Sequence, residues 1–77
     1  MITLEGLLRT INNDEAVTVE TREEETNALL EWWYGTPSLL LDTKEIKDIR
    51  CAYVNEVKVD SENEIAISIL FDTEGQK

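Results

Sequence analysis

The chain has 77 residues, of which 17 are Asp or Glu and 7 are Lys or Arg, so its net charge is −10. This exceeds the magnitude of about 2–8 that keeps a small domain in solution, and it would repel nucleic acid and anionic membranes, so direct binding to either is not expected. Because 42% of the residues are hydrophobic, we expect residues 1–72 to fold as a single domain, with a frayed tail over 73–77.

The first two predicted elements are a helix and a strand. Thr3 can cap a helix over residues 3–12, in which the apolar side chains recur at helical spacing (Leu4, Leu7, Leu8 and Ile11). Residues 16–21 are rich in β-branched side chains, with Val17 and Val19 on one face, and this pattern predicts a short strand.

A second helix is predicted over residues 24–34. The segment from Thr21 to Glu24 matches a capping box, and its acids would lie where the helix dipole is positive. Gly35 would end this helix and Pro37 would prevent it from resuming.

The remaining chain predicts a connection followed by a long hairpin. Residues 38–48 are read as a connection that contains a turn. Apolar side chains then alternate over 49–59 and 65–71, which is typical of two strands with one buried face. A short loop through residues 61–63 would place three pairs opposite each other: Val59 and Ile65, Val57 and Ile67, Tyr53 and Phe71.

These elements predict an α+β fold with the order α-β-α-β-β. We expect a three-stranded, mainly antiparallel sheet with two helices on one face. The second face of the hairpin is less polar than an exposed sheet requires, because it carries Ala52, Val54, Ala66 and Leu70. Either that face associates with another copy of the chain, or residues 39–41 cover it.

Catalysis is not expected. The chain has no histidine, which is the commonest general base and metal ligand. Its one cysteine, Cys51, is predicted to face the core and has no histidine to activate it. A chain this short has little room for a pocket of several hundred Å³. Residues 60–64 place oxygen ligands at alternating positions but lack the other features of a calcium loop, so neither a metal nor a cofactor is expected.

Binding to another protein is the function that the charge pattern favours. Acidic residues are concentrated around the predicted second helix, and the helix ends in an aromatic run. Leu29 and Trp32 of this helix would face the core. Aromatic side chains are common at interface hot spots, and an acidic surface accelerates encounter with a basic partner. The residues predicted to bind the partner are Glu20, Glu23, Glu24, Glu25, Glu31, Trp33 and Tyr34.

The N-terminal segment resembles small acidic proteins of phages and mobile elements. Residues 1–14, Met-Ile-Thr-Leu-Glu-Gly-Leu-Leu-Arg-Thr-Ile-Asn-Asn-Asp, form a short predicted helix that leads directly into Val17-Thr18-Val19. This arrangement is similar to the start of some anti-CRISPR inhibitors. The resemblance implies a host-defence inhibitor that occupies a nucleic-acid-binding groove with acidic side chains, but it carries over no functional residue.

The expected function is therefore that of a phage-type inhibitor, acting in the host cytoplasm as a DNA mimic against a protein with a basic surface. The alternative is a small structural module that forms homo-oligomers, such as a homodimer, in which the acids only maintain solubility.

Overall fold

The computed structural model describes residues 2–59, 62 and 64–71. Within these residues the chain forms three short helices and four strands. In chain order they are α1 (Leu4–Leu8), β1 (Val17–Glu23), β2 (Leu29–Gly35), α2 (Pro37–Leu41), α3 (Lys44–Ile49), β3 (Glu56–Val59) and β4 (Ile65–Phe71).

The strands form one mixed sheet with the order β2-β1-β4-β3. β1 pairs antiparallel with β2 and parallel with β4, and β4 pairs antiparallel with β3. The α+β class is confirmed. The prediction of a three-stranded, mainly antiparallel sheet with two helices is wrong, because the segment predicted as the second helix supplies a fourth strand and the connection over 38–48 supplies helices.

The segment predicted as a helix over 24–34 is a turn followed by β2. Asn27 adopts φ 62, and its N–H donates to the Glu23 carbonyl at 2.8 Å, which closes a tight turn that returns the chain alongside β1. Trp and Tyr favour strands, so β2 can pair with β1. The Thr21 hydroxyl, predicted to cap a helix, instead bonds with the Glu31 backbone at 3.1 Å.

Pro37 begins a helix rather than preventing one. It is the first residue of α2, where a missing N–H costs nothing. The Thr36 side chain caps this helix by accepting from the Leu39 N–H at 3.3 Å. α3 follows directly, so the predicted connection with one turn is in fact a pair of helices.

α1 and β1 agree with prediction in type but not in length. Thr3 caps α1 by accepting from the Gly6 N–H at 3.1 Å, as expected. The helix ends at Leu8 rather than at residue 12. The Thr10 N–H and hydroxyl both donate hydrogen bonds to the Leu7 carbonyl, which closes the helix with a turn. β1 is confirmed as a strand and continues to Glu23.

The C-terminal hairpin is shorter than predicted. The pairs Val59–Ile65 and Val57–Ile67 are confirmed. Tyr53 does not oppose Phe71, because it forms an antiparallel bridge with Thr3. The N-terminal segment thus takes the pairing position that the hairpin was expected to fill, and Cys51 is exposed rather than on the core face. The predicted turn residues 61 and 63 and the predicted tail 73–77 lie outside the described residues.

The core lies between the three helices and one face of the sheet. Its fully buried members are Leu4, Leu8, Val17, Val19, Leu40, Ile46, Ile67 and Ile69. The four core residues that come from strands, Val17, Val19, Ile67 and Ile69, occupy odd positions, as alternation requires. In the described part of the chain, no helix has the length and apolar character needed to cross a membrane.

Candidate protein-binding surface

The sheet has an open face that the helices do not cover. Since the odd positions of β1 and β4 point into the core, their even positions point to the other side. The register aligns these positions in rows across the sheet. One row is Trp32, Glu20, Ser68 and Glu56, and the next is Tyr34, Thr18, Ala66 and Lys58.

Two large aromatic side chains stand on this open face. Trp32 is 60% exposed and Tyr34 is 52% exposed. Trp33 lies on the opposite side of β2 and packs against the core. The helical prediction had Trp32 facing inward, and the strand reverses this because neighbouring residues alternate between faces. The aromatic pair on the surface is therefore Trp32 and Tyr34.

Residues 39–41 do not cover the open face. Leu40 is buried in the core, within the helical layer on the other side of the sheet. Of the four apolar residues predicted there, Ala66 and Leu70 occupy open-face positions, whereas Ala52 and Val54 pack against the core.

Two of the predicted binding acids are used within the fold. The Glu20 carboxylate accepts two hydrogen bonds from the Arg22 side chain, from Nε at 3.1 Å and from Nη2 at 3.4 Å. One carboxylate oxygen of Glu23 accepts from the N–H groups of Glu25 at 2.8 Å and Thr26 at 3.0 Å. The Glu20 contact lies within β1, and the Glu23 contacts stabilise the turn between β1 and β2.

The other three acids that were predicted to bind the partner lie on β2 or in the turn before it, and all three are exposed. Glu24 and Glu25 lie in the hairpin tip, the turn formed by residues 24–28, and Glu31 lies on β2. None of the ion pairs among the described residues involves these three side chains. The expected dipole effect does not apply to them, because no helix begins there.

The fold also forms concavities that we did not expect in so short a chain. On the helical side of β2 lies a pocket of about 330 Å³, which we call the acid-rimmed pocket. It is lined by Thr21, Leu30, Glu31, Trp33, Glu45, Asp48, Ile49 and Phe71. Glu45 and Asp48 were not predicted as site residues because helix α3 was not predicted. On a helix, their spacing of three residues would have placed them on the same face.

A second groove, of about 770 Å³, lies between α1 and α2. Its polar side chains are already engaged: Asn13 accepts from the Ser38 N–H at 2.8 Å, Arg9 pairs with Glu5 at 3.0 Å, and Asp42 lies 3.8 Å from Lys47. The Asn13 contact joins α2 to the loop before β1, whereas the other two lie within α1 and between α2 and α3, so all three stabilise the fold.

Comparison with known proteins found no matching family, no matching curated protein and no matching solved structure. The surface around β2 is therefore interpreted from its own geometry: an aromatic pair on one side, an acid-rimmed pocket on the other, and an acidic hairpin tip at one end.

Proposed function

We propose that this protein is a non-enzymatic inhibitor that binds the basic, nucleic-acid-binding surface of another protein, in the cytoplasm of a host cell. The observation that carries the proposal is the exposed pair Trp32 and Tyr34 on edge strand β2, the strand that follows a hairpin tip whose Glu24 and Glu25 form no ion pair among the described residues. The resemblance to anti-CRISPR proteins agrees with this proposal.

The two groups would act at different stages of binding. Exposed carboxylates attract a basic surface over a distance and raise the association rate, an effect that salt reduces. The aromatic pair supplies apolar area that is removed from water on contact, and such side chains commonly carry most of the binding energy. Glu20 is less suited to this work, because Arg22 already neutralises it.

The test is capture of a partner from lysate of the native host, followed by competition. The partner captured by the wild type should be released by duplex DNA, and its affinity should fall steeply with salt. Glu24→Gln/Glu25→Gln should weaken capture and flatten the salt dependence. Trp32→Ala should weaken capture by about tenfold or more without changing the salt dependence, as expected for a hot-spot aromatic.

Asp14→Asn/Glu15→Gln is the matched control, because it removes the same charge at the opposite end of β1. Equal weakening by both double variants would contradict a specific role for the hairpin tip. A captured partner that duplex DNA does not displace would contradict the nucleic-acid-mimic mechanism.

The second candidate function is self-assembly, which the opposite edge of the sheet favours. β3 is an edge strand of four residues, with Val57 45% and Val59 62% exposed, and exposed apolar edges can pair between copies. Sedimentation velocity over a range of concentrations distinguishes the two. A dimer that Val59→Lys dissociates would support assembly, whereas a monomer at every concentration would contradict it.

A further inference from the structure

The acid-rimmed pocket combines apolar walls with a negative rim. Trp33, Ile49 and Phe71 are each half-buried and form its apolar surface, and Leu30 closes one side while remaining 43% exposed. Its volume of about 330 Å³ lies within the range of roughly 300–1,000 Å³ that is typical of ligand sites.

Three acidic residues from two elements line this pocket. Glu31 comes from β2, and Glu45 and Asp48 come from α3. All three are exposed, and no lysine or arginine lines the pocket. The ion pairs within the described residues join Arg9 to Glu5, Arg22 to Glu20, Lys47 to Asp42 and Lys58 to Glu56, so they leave these three carboxylates unpaired.

The remaining polar wall of the pocket offers no competing interaction. Thr21 is 4% exposed, and its hydroxyl is engaged with the Glu31 backbone, accepting from the N–H at 3.1 Å. Among the described residues, no group of three or more acidic or cysteine side chains could hold a metal ion. The carboxylates are thus spread around an apolar cavity, an arrangement that complements a ligand with both a cationic group and an apolar part.

We propose that the acid-rimmed pocket binds an arginine side chain of the partner protein. This inference rests on the proposed function for the existence of a basic partner. The methylene stem would contact Leu30 and Ile49, and the planar guanidinium would meet the Trp33 ring and the surrounding carboxylates. Arginine fits better than lysine, because its flat, weakly hydrated group stacks on aromatic rings and can bond two carboxylates at once.

The pocket can be tested without the partner, by NMR titration with N-acetyl-arginine N-methylamide. The indole N–H signal of Trp33 should shift and saturate at millimolar concentrations, while the signal of Trp32, on the open face, should not move. The matched citrulline compound has the same shape without the charge, and it should cause no saturable shift. The lysine compound should bind more weakly than the arginine compound.

Variants separate the pocket from general attraction to an acidic protein. Glu45→Gln/Asp48→Asn should raise the dissociation constant of the arginine compound about fivefold or more, as expected from losing two partly exposed charge interactions. Glu24→Gln/Glu25→Gln removes the same charge at the hairpin tip and should leave the constant within about twofold. Backbone spectra of both variants verify that the fold is retained.

The outcomes distinguish this inference from the proposed function. Equal shifts with arginine and citrulline, a moving Trp32 signal, or equal effects of the two double variants would overturn the pocket. Equal binding of lysine and arginine would overturn the assignment to arginine. Capture of a DNA-displaceable partner by a protein that does not bind the arginine compound would overturn the pocket alone. Probe binding without any such partner would support the pocket and contradict the proposed function.

Discussion

At the scale of single residues, Asn27 determines where the acidic side chains of the hairpin tip are placed. It is the only non-glycine residue with positive φ in the described part of the chain, at φ 62. Its carbonyl accepts from Arg22 Nη1 at 2.8 Å, and its N–H donates to the Glu23 carbonyl at 2.8 Å. Asn tolerates this left-handed conformation better than most residues because of its short polar side chain.

Replacing Asn27 therefore tests the turn. Asn27→Val should lower the free energy of unfolding by about 1–2 kcal/mol, since a β-branched side chain is strained at positive φ. Asn27→Gly is the control and should retain the stability of the wild type within about 0.5 kcal/mol, because glycine adopts this conformation without strain. Urea denaturation measures both. Equal losses in the two variants would show that the Asn side chain, and not the backbone conformation, holds the turn.

At the scale of secondary-structure elements, β2 gives two adjacent tryptophans opposite environments. Trp33 pairs with buried Val19 and packs against the core, whereas Trp32 pairs with Glu20 on the open face. β2 is also an edge strand with a register shift at Thr21 and Arg22. This shift allows both Leu30 and Glu31 to line the acid-rimmed pocket. β2 thus contributes both to the exposed aromatic pair on the open face and to the acid-rimmed pocket.

The two tryptophans should differ sharply in their effect on stability. Trp33→Ala should cost about 2–4 kcal/mol, somewhat less than for a fully buried tryptophan, because the side chain is half-buried. Trp32→Ala should change stability by about 0.5 kcal/mol or less, as is usual at exposed positions. Denaturation midpoints at an unchanged slope give both values. A Trp32 variant that is the less stable of the two would contradict the assignment of faces.

At the scale of the whole molecule, the acidic side chains of the described residues lie close together, in a chain whose net charge is −10. The radius of gyration is 12.0 Å and the longest extent is 36 Å. The Debye length is about 30 Å at 0.01 M salt and about 10 Å at 0.1 M, so at low salt almost every pair of acids repels without screening. The four ion pairs among the described residues all involve at least partly exposed groups and offset little of this.

Added salt should therefore stabilise the folded protein. The melting temperature is expected to rise by several degrees between about 0.01 and 0.3 M NaCl, because screening removes self-repulsion that opposes the compact state. A variant with Asp14→Asn, Glu15→Gln, Glu24→Gln and Glu25→Gln should show a smaller rise. Calorimetry at constant pH measures both. A melting temperature that falls with salt would mean that attractive ion pairs outweigh the repulsion.

The sequence correctly predicted those features of the fold that depend on residues close together in the chain. The Thr3 cap, the strand at Val17 and Val19, and the register of Val57 with Ile67 all rest on capping, propensity or alternation within a few residues. The segment over 24–34 failed because acids, leucines and tryptophans also fit a helix. Asn27 followed by an aromatic run was the signal for a turn and a strand.

The sequence alone determined the charge, the absence of histidine, the α+β class and which face of each correctly predicted strand is apolar, because these properties follow from composition and short-range periodicity. The parallel pairing of β1 with β4 is visible in the fold alone, since those strands are distant in the chain and periodicity does not identify a strand's neighbour. The same packing brings Glu31 to the side of Glu45 and Asp48 around one pocket. The acid-rimmed pocket therefore depends on contacts between residues that are distant in the chain, which no local sequence pattern predicts.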